Sequence, residues 1–363
     1  MENAVTQSLL GSIARSIHEG GLSELTILGI ESTSHTFGVG IVRVSSGVPE
    51  ILVNEFSKYV PEKGGIHPRD ASNYHAEEAP KVLHRALSKA KVKLSEVSAI
   101  AVALGPGLGP CLRVGATIAR FLSSYYSKPL IPVNHAVAHI EIGKLLNNLR
   151  DPLVIYVSGG NTLIAVQRRK RYRIVGETLD ISLGNLLDTF AREVGLAPPY
   201  VVNGVHQVDV CADWGEDFID LPYTVKGNDL SFSGLLTAAL KKAREAKSRR
   251  ELGSVCLSLR ETAFNMLVEV SERALVLAAK SEVLLTGGVA ANKVLNDKLA
   301  SMASIHGAKF YTVPADYAGD NGAMIAWNGL LHYAYGVVVK PEEAFVRQRW
   351  RLDEVDAPWL LED

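Results

Sequence analysis

Apolar residues in this chain come in short runs broken by small polar turns. Leu25-Thr-Ile-Leu-Gly-Ile30 and Phe37-Gly-Val-Gly-Ile-Val42 flank Ser32, Thr33 and Ser34 and predict two strands of a hairpin. The pattern returns at Leu153-Val-Ile-Tyr-Val157 and Leu163-Ile-Ala-Val-Gln167, around Ser158-Gly159-Gly160-Asn161-Thr162. Helical periodicity follows each hairpin, over 76–91 in the first half and over 183–194 and 252–280 in the second. Continuous apolar runs at 99–104 and 283–286 predict buried strands. The second of these runs into Gly287-Gly288 and then a helix beginning near Asn292, where glycine lets a ligand approach the backbone.

Alternating strands and helices mean α/β layers. Two hairpin tips rich in hydroxyls and glycine, with a third glycine turn, suit a nucleotide clamp. The expected fold is α/β with two domains and an interdomain cleft, resembling actin, sugar kinases and heat-shock ATPases. Residues 1–24 read as an N-terminal tail, in which Leu9, Ile13 and Ile17 allow a short amphipathic helix. The first domain is expected over 25–134, completed by a C-terminal helix over 329–363. The second, with the metal and nucleotide site, is expected over 135–328.

Composition narrows the function classes. Hydrophobic residues are 47% and charged residues 21%, which predicts a packed core and excludes a disordered chain. Lys+Arg number 38 against Asp+Glu 39, so attraction to nucleic acid must come from local patches. Candidates are Arg168 to Arg173, Lys241 to Arg250, and Arg347, Arg349 and Arg351. Cys111, Cys211 and Cys256 lie far apart in sequence, which argues against a disulfide framework or thiolate zinc site and for a reducing cytoplasm. The run from Ala99 to Leu104 falls short of the ~20 residues a membrane span needs, and residues 1–23 lack a secretory core.

The metal signal is His135-Ala-Val-Ala-His139, two imidazoles at i, i+4 on one helical face. Two ligands do not define a site, so oxygen ligands are needed from elsewhere. Asp320, beside Gly319 at the start of an apolar helix, is one candidate and is also placed to cap that helix. Tyr156 is another; a phenol favours a hard Lewis acid such as iron. A zinc peptidase would need glutamate where Ala136 stands.

Several motifs, in this order, carry a resemblance to a known family. They are Gly29-Ile-Glu-Ser-Thr-Ser-His-Thr36, Gly64-Gly-Ile-His-Pro-Arg69, Gly105-Pro-Gly-Leu-Gly109, His135-Ala-Val-Ala-His139, Tyr156-Val-Ser-Gly-Gly-Asn-Thr162, Gly287-Gly-Val-Ala-Ala-Asn292 and Gly319-Asp-Asn-Gly322. From Leu25 to Val355 the chain resembles the catalytic subunit of the archaeal and eukaryotic KEOPS complex, whose bacterial relative is TsaD. The resemblance implies transfer of threonylcarbamoyl from threonylcarbamoyl-AMP to N6 of the adenosine next to the anticodon, in tRNAs reading codons that begin with A. It implies one metal ion, usually iron with zinc as the alternative, on His135, His139, Tyr156 and Asp320.

It further implies that Tyr156, Val157, Ser158, Gly159 and Gly160 hold the donor's phosphate and acyl part. Asp188 would face the nucleoside and Asn292 its adenine side. Where the family has roughly Pro-Gly-Gly-Pro-x-Ile-Glu, this chain reads Pro198 to Asp209, a few residues longer. Aligning Asp209 with the family glutamate, for ribose hydroxyls, puts Gly204 on the first glycine and Val205 on the second, a reshaped pocket wall. Implied partners are tRNA, the nucleotide donor and the other KEOPS subunits, including a small kinase on a separate polypeptide, in the cytoplasm; no membrane and no DNA. No general base stands out. A small-molecule kinase or regulatory ATPase of this architecture, a peptidase and a nucleotide-switched scaffold are the competing readings.

Overall fold

The structure is a computed structural model that describes residues 24–61, 65–198 and 205–360. Residues 1–23 of the N-terminal tail with its possible helix, Gly64 and Gly204 lie outside the described residues, and residue 24 of the expected tail already belongs to the first strand. Leu25, Ile27, Leu28 and Ile30 are all buried, so β1 (Glu24–Glu31) is covered on both faces and lies central in its sheet. The sheet order is β3-β2-β1-β4-β5. β2 (Thr36–Ser45) and β3 (Val48–Lys58) run antiparallel as a meander, and β4 (Ala99–Gly105) and β5 (Leu130–Asn134) are parallel additions. α1 (Pro68–Ala90) and α2 (Gly109–Tyr126) make the crossovers, and α3 (His135–Asn147) follows β5 without an intervening residue.

The second sheet has the order β12-β11-β6-β7-β8. β6 (Leu153–Val157), β7 (Thr162–Arg168) and β8 (Arg171–Glu177) repeat the opening meander. α4 (Leu183–Glu193), α5 (Gln207–Ala212), the short pair β9 (Val225–Lys226) and β10 (Asp229–Leu230), α6 (Ser233–Glu245) and α7 (Arg249–Leu277) follow. β11 (Glu282–Thr286), α8 (Lys293–Ile305), β12 (Lys309–Thr312), α9 (Ala315–Ala318) and α10 (Gly322–Ala334) complete the regular elements. β11 lies parallel to β6 and β12, so the two sheets share one plan.

The chain divides into two compact units at other points than the expected 134/135 and 328/329. One unit takes the described residues up to Arg150, Arg168–Tyr172 and those from Asp320 on; the other takes Asp151–Gln167 and Arg173–Gly319. The shift has a packing cause. α10 lies on β1 and β2 through glycine contacts, and Trp327 Nε1 donates to the Glu141 carbonyl at 3.1 Å, tying α3 to α10. The helix expected over 329–363 ends at Ala334. Gly336 turns the chain at φ 71°, and two short 3-10 turns, Pro341–Glu343 and Leu352–Glu354, replace it.

Cys211 and Cys256 form a disulfide, against the expectation from their spacing. They are 45 residues apart, yet their Cα atoms lie 5.8 Å apart. Gly215 and Gly253 allow this: a Cβ built on Gly215 would sit 2.3 Å from the Gly253 carbonyl carbon, so the segment after α5 touches the backbone of α7. Cys111 is the only free cysteine and is buried.

His332 on α10 is buried beside Trp359, ring centroids 4.8 Å apart. Burial lowers its pKa to about 4. The unfolded chain therefore takes up a proton near pH 6.5 that the folded chain refuses until about pH 4. The expected result is stability fully present above pH 6.5 and falling as the pH drops to about 4. Denaturant midpoints measured across that window check it, and His332→Leu should flatten the slope.

Candidate metal centre

The site begins at a strand–helix junction. The Asn134 side chain accepts from the N–H groups of Ala136 and Val137 at 2.9 and 3.2 Å, capping α3, while its Nδ2 donates to the Trp350 carbonyl at 3.1 Å. Helix geometry then stacks His135 and His139, whose ring centroids lie 4.7 Å apart. Asp320 meets both from the turn before α10: its Oδ1 is 3.4 Å from His135 Nε2 and 3.3 Å from His139 Nε2. The three ligand atoms all lie within 4.8 Å of one another. Asp320 is not the helix cap; Asn321 takes that role, accepting from the Met324 N–H at 2.9 Å.

The surroundings set the protonation needed for a ligand. His135 Nδ1 lies 2.9 Å from Glu31 Oε2 and 3.2 Å from Thr33 Oγ1. Carboxylates only accept, so without a cation a protonated ring donates to Glu31 and Asp320 together, whereas the neutral ring with its proton on Nδ1 turns an Nε2 lone pair toward the Asp320 side for a cation to take. Two acceptors facing one point are what a cation between them resolves, so the trio fits a metal. Burial lowers the pKa of His139, keeping that imidazole neutral. Burial pushes the Asp320 carboxyl up, but His135 and His139 more than offset this and hold it well below the usual carboxylate range. Behind the ligand helix, Glu141 accepts from Tyr172 Oη and from Trp359 Nε1 at 2.9 Å, pinning the far face of α3.

Glu31 accepts from the Thr33 N–H at 2.6 Å, so its carboxylate is held independently of His135. Glu31→Gln removes the charge behind the ligand while keeping its shape. The expected result is metal affinity lower by roughly 10- to 100-fold, read by competition with a metal indicator.

The second unit holds the other candidates. Tyr156 and Val157 end β6 with their side chains fully buried. In the tip that follows, Ser158 N–H donates to the Asn161 carbonyl at 2.8 Å, and Ser158 Oγ accepts from the Gly160 and Asn161 N–H groups. Two of the donors expected to face a ligand are thus engaged inside the turn. Gly287, at φ 96°, must be glycine, because a Cβ there would lie 2.4 Å from the Val157 carbonyl oxygen.

Asp188, Asp209 and Asn292 are brought together by contacts that spacing did not reveal. Asn292 caps α8 and its Nδ2 donates to Asp209 Oδ2 at 2.7 Å. Asp188 pairs with His206, and Arg260 Nη1 lies 3.7 Å from Asp209 Oδ1. Burial raises the Asp209 pKa against the opposing pull of Arg260. Val205, beside the undescribed Gly204, is exposed. Glu31, Thr33, His206 and Arg260 were missed as site residues; only Glu31 and Thr33, inside the first hairpin motif, carried a signal. Of the basic patches, Arg171 pairs with Asp356, Arg250 with Glu216, and Arg249 lies over the Trp214 ring, so part of that charge is already committed.

A family model described as tRNA N6-adenosine threonylcarbamoyltransferase matches residues 50–327. The chain belongs to the tRNA N6-adenosine threonylcarbamoyltransferase family. Relatives of that name are 71% identical over 92% of this chain and 99% of the relative in Staphylothermus marinus, and 59% identical over 93% and 92% in Hyperthermus butylicus. Among solved structures, HypF of T. kodakarensis superposes with TM-score 0.58 at 14% identity, covering 89% of this chain and 49% of that one. A full-length HypF bound to phosphate and nucleotide gives 0.54 at 13%, covering 84% and 46%. At such identities the likeness concerns the fold alone, and it assigns this threonylcarbamoyltransferase-family chain to the actin-like α/β architecture. No helix among the described residues is long and apolar enough to cross a membrane.

Proposed function

We propose that this chain transfers threonylcarbamoyl from threonylcarbamoyl-AMP to N6 of the adenosine 3′ of the anticodon in tRNAs reading A-starting codons, as the catalytic subunit of a KEOPS complex. The observation that carries the reading is the His135–His139–Asp320 trio in a chain 71% identical to an enzyme named for that transfer. On this reading Tyr156 completes the ligand set and the metal is iron, with zinc as the alternative. When bound, the metal supplies Lewis acidity toward a donor oxygen. The chain's own residues position the reactants. Val157, Ser158, Gly159 and Gly160 take the donor's phosphate side, and Asp188, Asp209 and Asn292 take its nucleoside; Gly204, assigned to the same subsite by its motif, lies outside the described residues.

The reaction forms a bond between the adenine N6 and the carbamoyl carbon; the bond from that carbon to the phosphate oxygen breaks, AMP leaves with its phosphate as an anion, and N6 gives up one proton to solvent. N6 is a weak nucleophile, so much of the rate comes from holding it against the donor. The proposed partners are tRNA and the other KEOPS subunits, including a small kinase, in the cytoplasm.

The deciding experiment supplies labelled threonine, bicarbonate, ATP, the upstream synthase and the other subunits, and compares wild type with His135→Ala/His139→Ala. Label entering tRNA with wild type alone is the expected result. Equal labelling by both would remove the metal site from the reaction, and no labelling by wild type beside a competent control enzyme would favour an ATPase or scaffold.

A further inference from the structure

His206 is 1% exposed and hydrogen-bonds in three directions. Its Nδ1 accepts from the Val208 N–H at 3.0 Å and caps α5. An accepting Nδ1 carries no proton in the neutral ring, so the proton sits on Nε2, which donates to Asp188 Oδ1 at 3.1 Å. Its backbone N–H donates to Asp209 Oδ2 at 3.3 Å. One buried residue thus holds two carboxylates, one from α4 and one from α5. A third element joins them through Asn292, which donates to the same Asp209 oxygen.

The two carboxylates are held at different depths. The Asp209 side chain is 15% exposed and lies against Arg260; that of Asp188 is 37% exposed and within a ligand's reach. A hydrogen bond to one carboxylate oxygen fixes the plane of the group and aims the other oxygen. The second Asp188 oxygen can accept from one ribose hydroxyl, and Asp209, held by the same His206 and shared with Arg260, is the acceptor for the vicinal one. We propose that His206 is a positioning residue that holds Asp188, beside Asp209, for the ribose hydroxyls of the bound nucleotide. The inference rests on the nucleotide site of the proposed function.

Two substitutions separate positioning from capping. His206→Asn keeps an acceptor near the Nδ1 position for the Val208 N–H but is too short to reach Asp188. His206→Gln carries a donor near the Nε2 position and loses the cap acceptor. AMP and 2′-deoxy-AMP are titrated calorimetrically into the full-length chain, with thermal midpoints recorded for every variant. Wild type is expected to prefer AMP. His206→Asn should keep a near-wild-type midpoint, weaken AMP by about tenfold and lose the preference, since a hydrogen bond to a charged group is at stake. His206→Gln should recover most of the preference, and His206→Asn should cost nothing further in an Asp188→Ala background.

Wild-type AMP affinity in His206→Asn, or losses that add to those of Asp188→Ala, would overturn the inference alone. Equal binding of the two nucleotides by wild type would overturn its ribose part. A wild-type chain that binds neither would remove the nucleotide reading and this inference with it.

Discussion

Asp320→Ala is expected to leave the purified protein without metal and to stop threonylcarbamoyl transfer. Among the described residues the trio has one formal negative charge, and Asp320 supplies it. Glu31 cannot replace it, because its carboxylate sits on the Nδ1 side of His135, away from the Nε2 atoms that face Asp320. Two neutral imidazoles alone make a weak, incomplete coordination set. The loss should therefore exceed the roughly 10- to 100-fold change that follows removal of an outer-shell partner. Elemental analysis after dialysis reads metal per chain, and the tRNA labelling assay reads transfer. Asp320→Asn keeps the shape and one acceptor, so it should retain more metal than the alanine variant. Unchanged metal content in Asp320→Ala, with an unchanged unfolding midpoint, would remove this residue from the ligand set.

Local signals were legible in the sequence and distant ones were not. The hairpin tips, the buried strands and the start of α8 at Asn292 follow from runs of apolar residues broken by small ones, and each lies within about 20 residues of chain. The His135–His139 pair was legible because helix period alone brings positions i and i+4 together. The Cys211–Cys256 bond was not, since it depends on α5 lying against α7, which no spacing announces. Nor was the link from His206 to Asp188, which joins two helices across 18 residues of sequence. The domain edges moved for the same reason: α3 and α10 belong with the first sheet because of what they pack on, and an apolar helix reads alike whichever sheet it covers. The helix expected past Ala334 was overturned by a local feature, Gly336 in the left-handed region, that its apolar neighbours masked.

Gly322 shows how the first sheet reaches the metal centre. α10 lies directly on the backbone of β1 and β2. A Cβ built on Gly322 would lie 2.1 Å from Gly40 N and 2.3 Å from the Val39 carbonyl carbon, while one on Gly29 would lie 2.2 Å from Ala326 N. Backbone atoms cannot rotate aside as a side chain does, so Gly322→Ala must push the start of α10 off the sheet by about 1 Å. Forcing extra volume into such a contact costs about 1–3 kcal/mol, and more where only backbone can yield. Asp320 lies two residues earlier, and its contacts of 3.4 and 3.3 Å to His135 and His139 depend on where the helix begins. Gly322→Ala is therefore expected to lower the denaturant midpoint and also to weaken metal binding, although residue 322 touches no ligand. Gly234→Ala is the matched control: it lies on α6 with no atom within 4 Å of an added Cβ, and should be neutral or stabilising by up to about 1 kcal/mol. If Gly322→Ala kept both the wild-type midpoint and the wild-type metal affinity, the close approach of α10 to the sheet would not be what sets Asp320 in place.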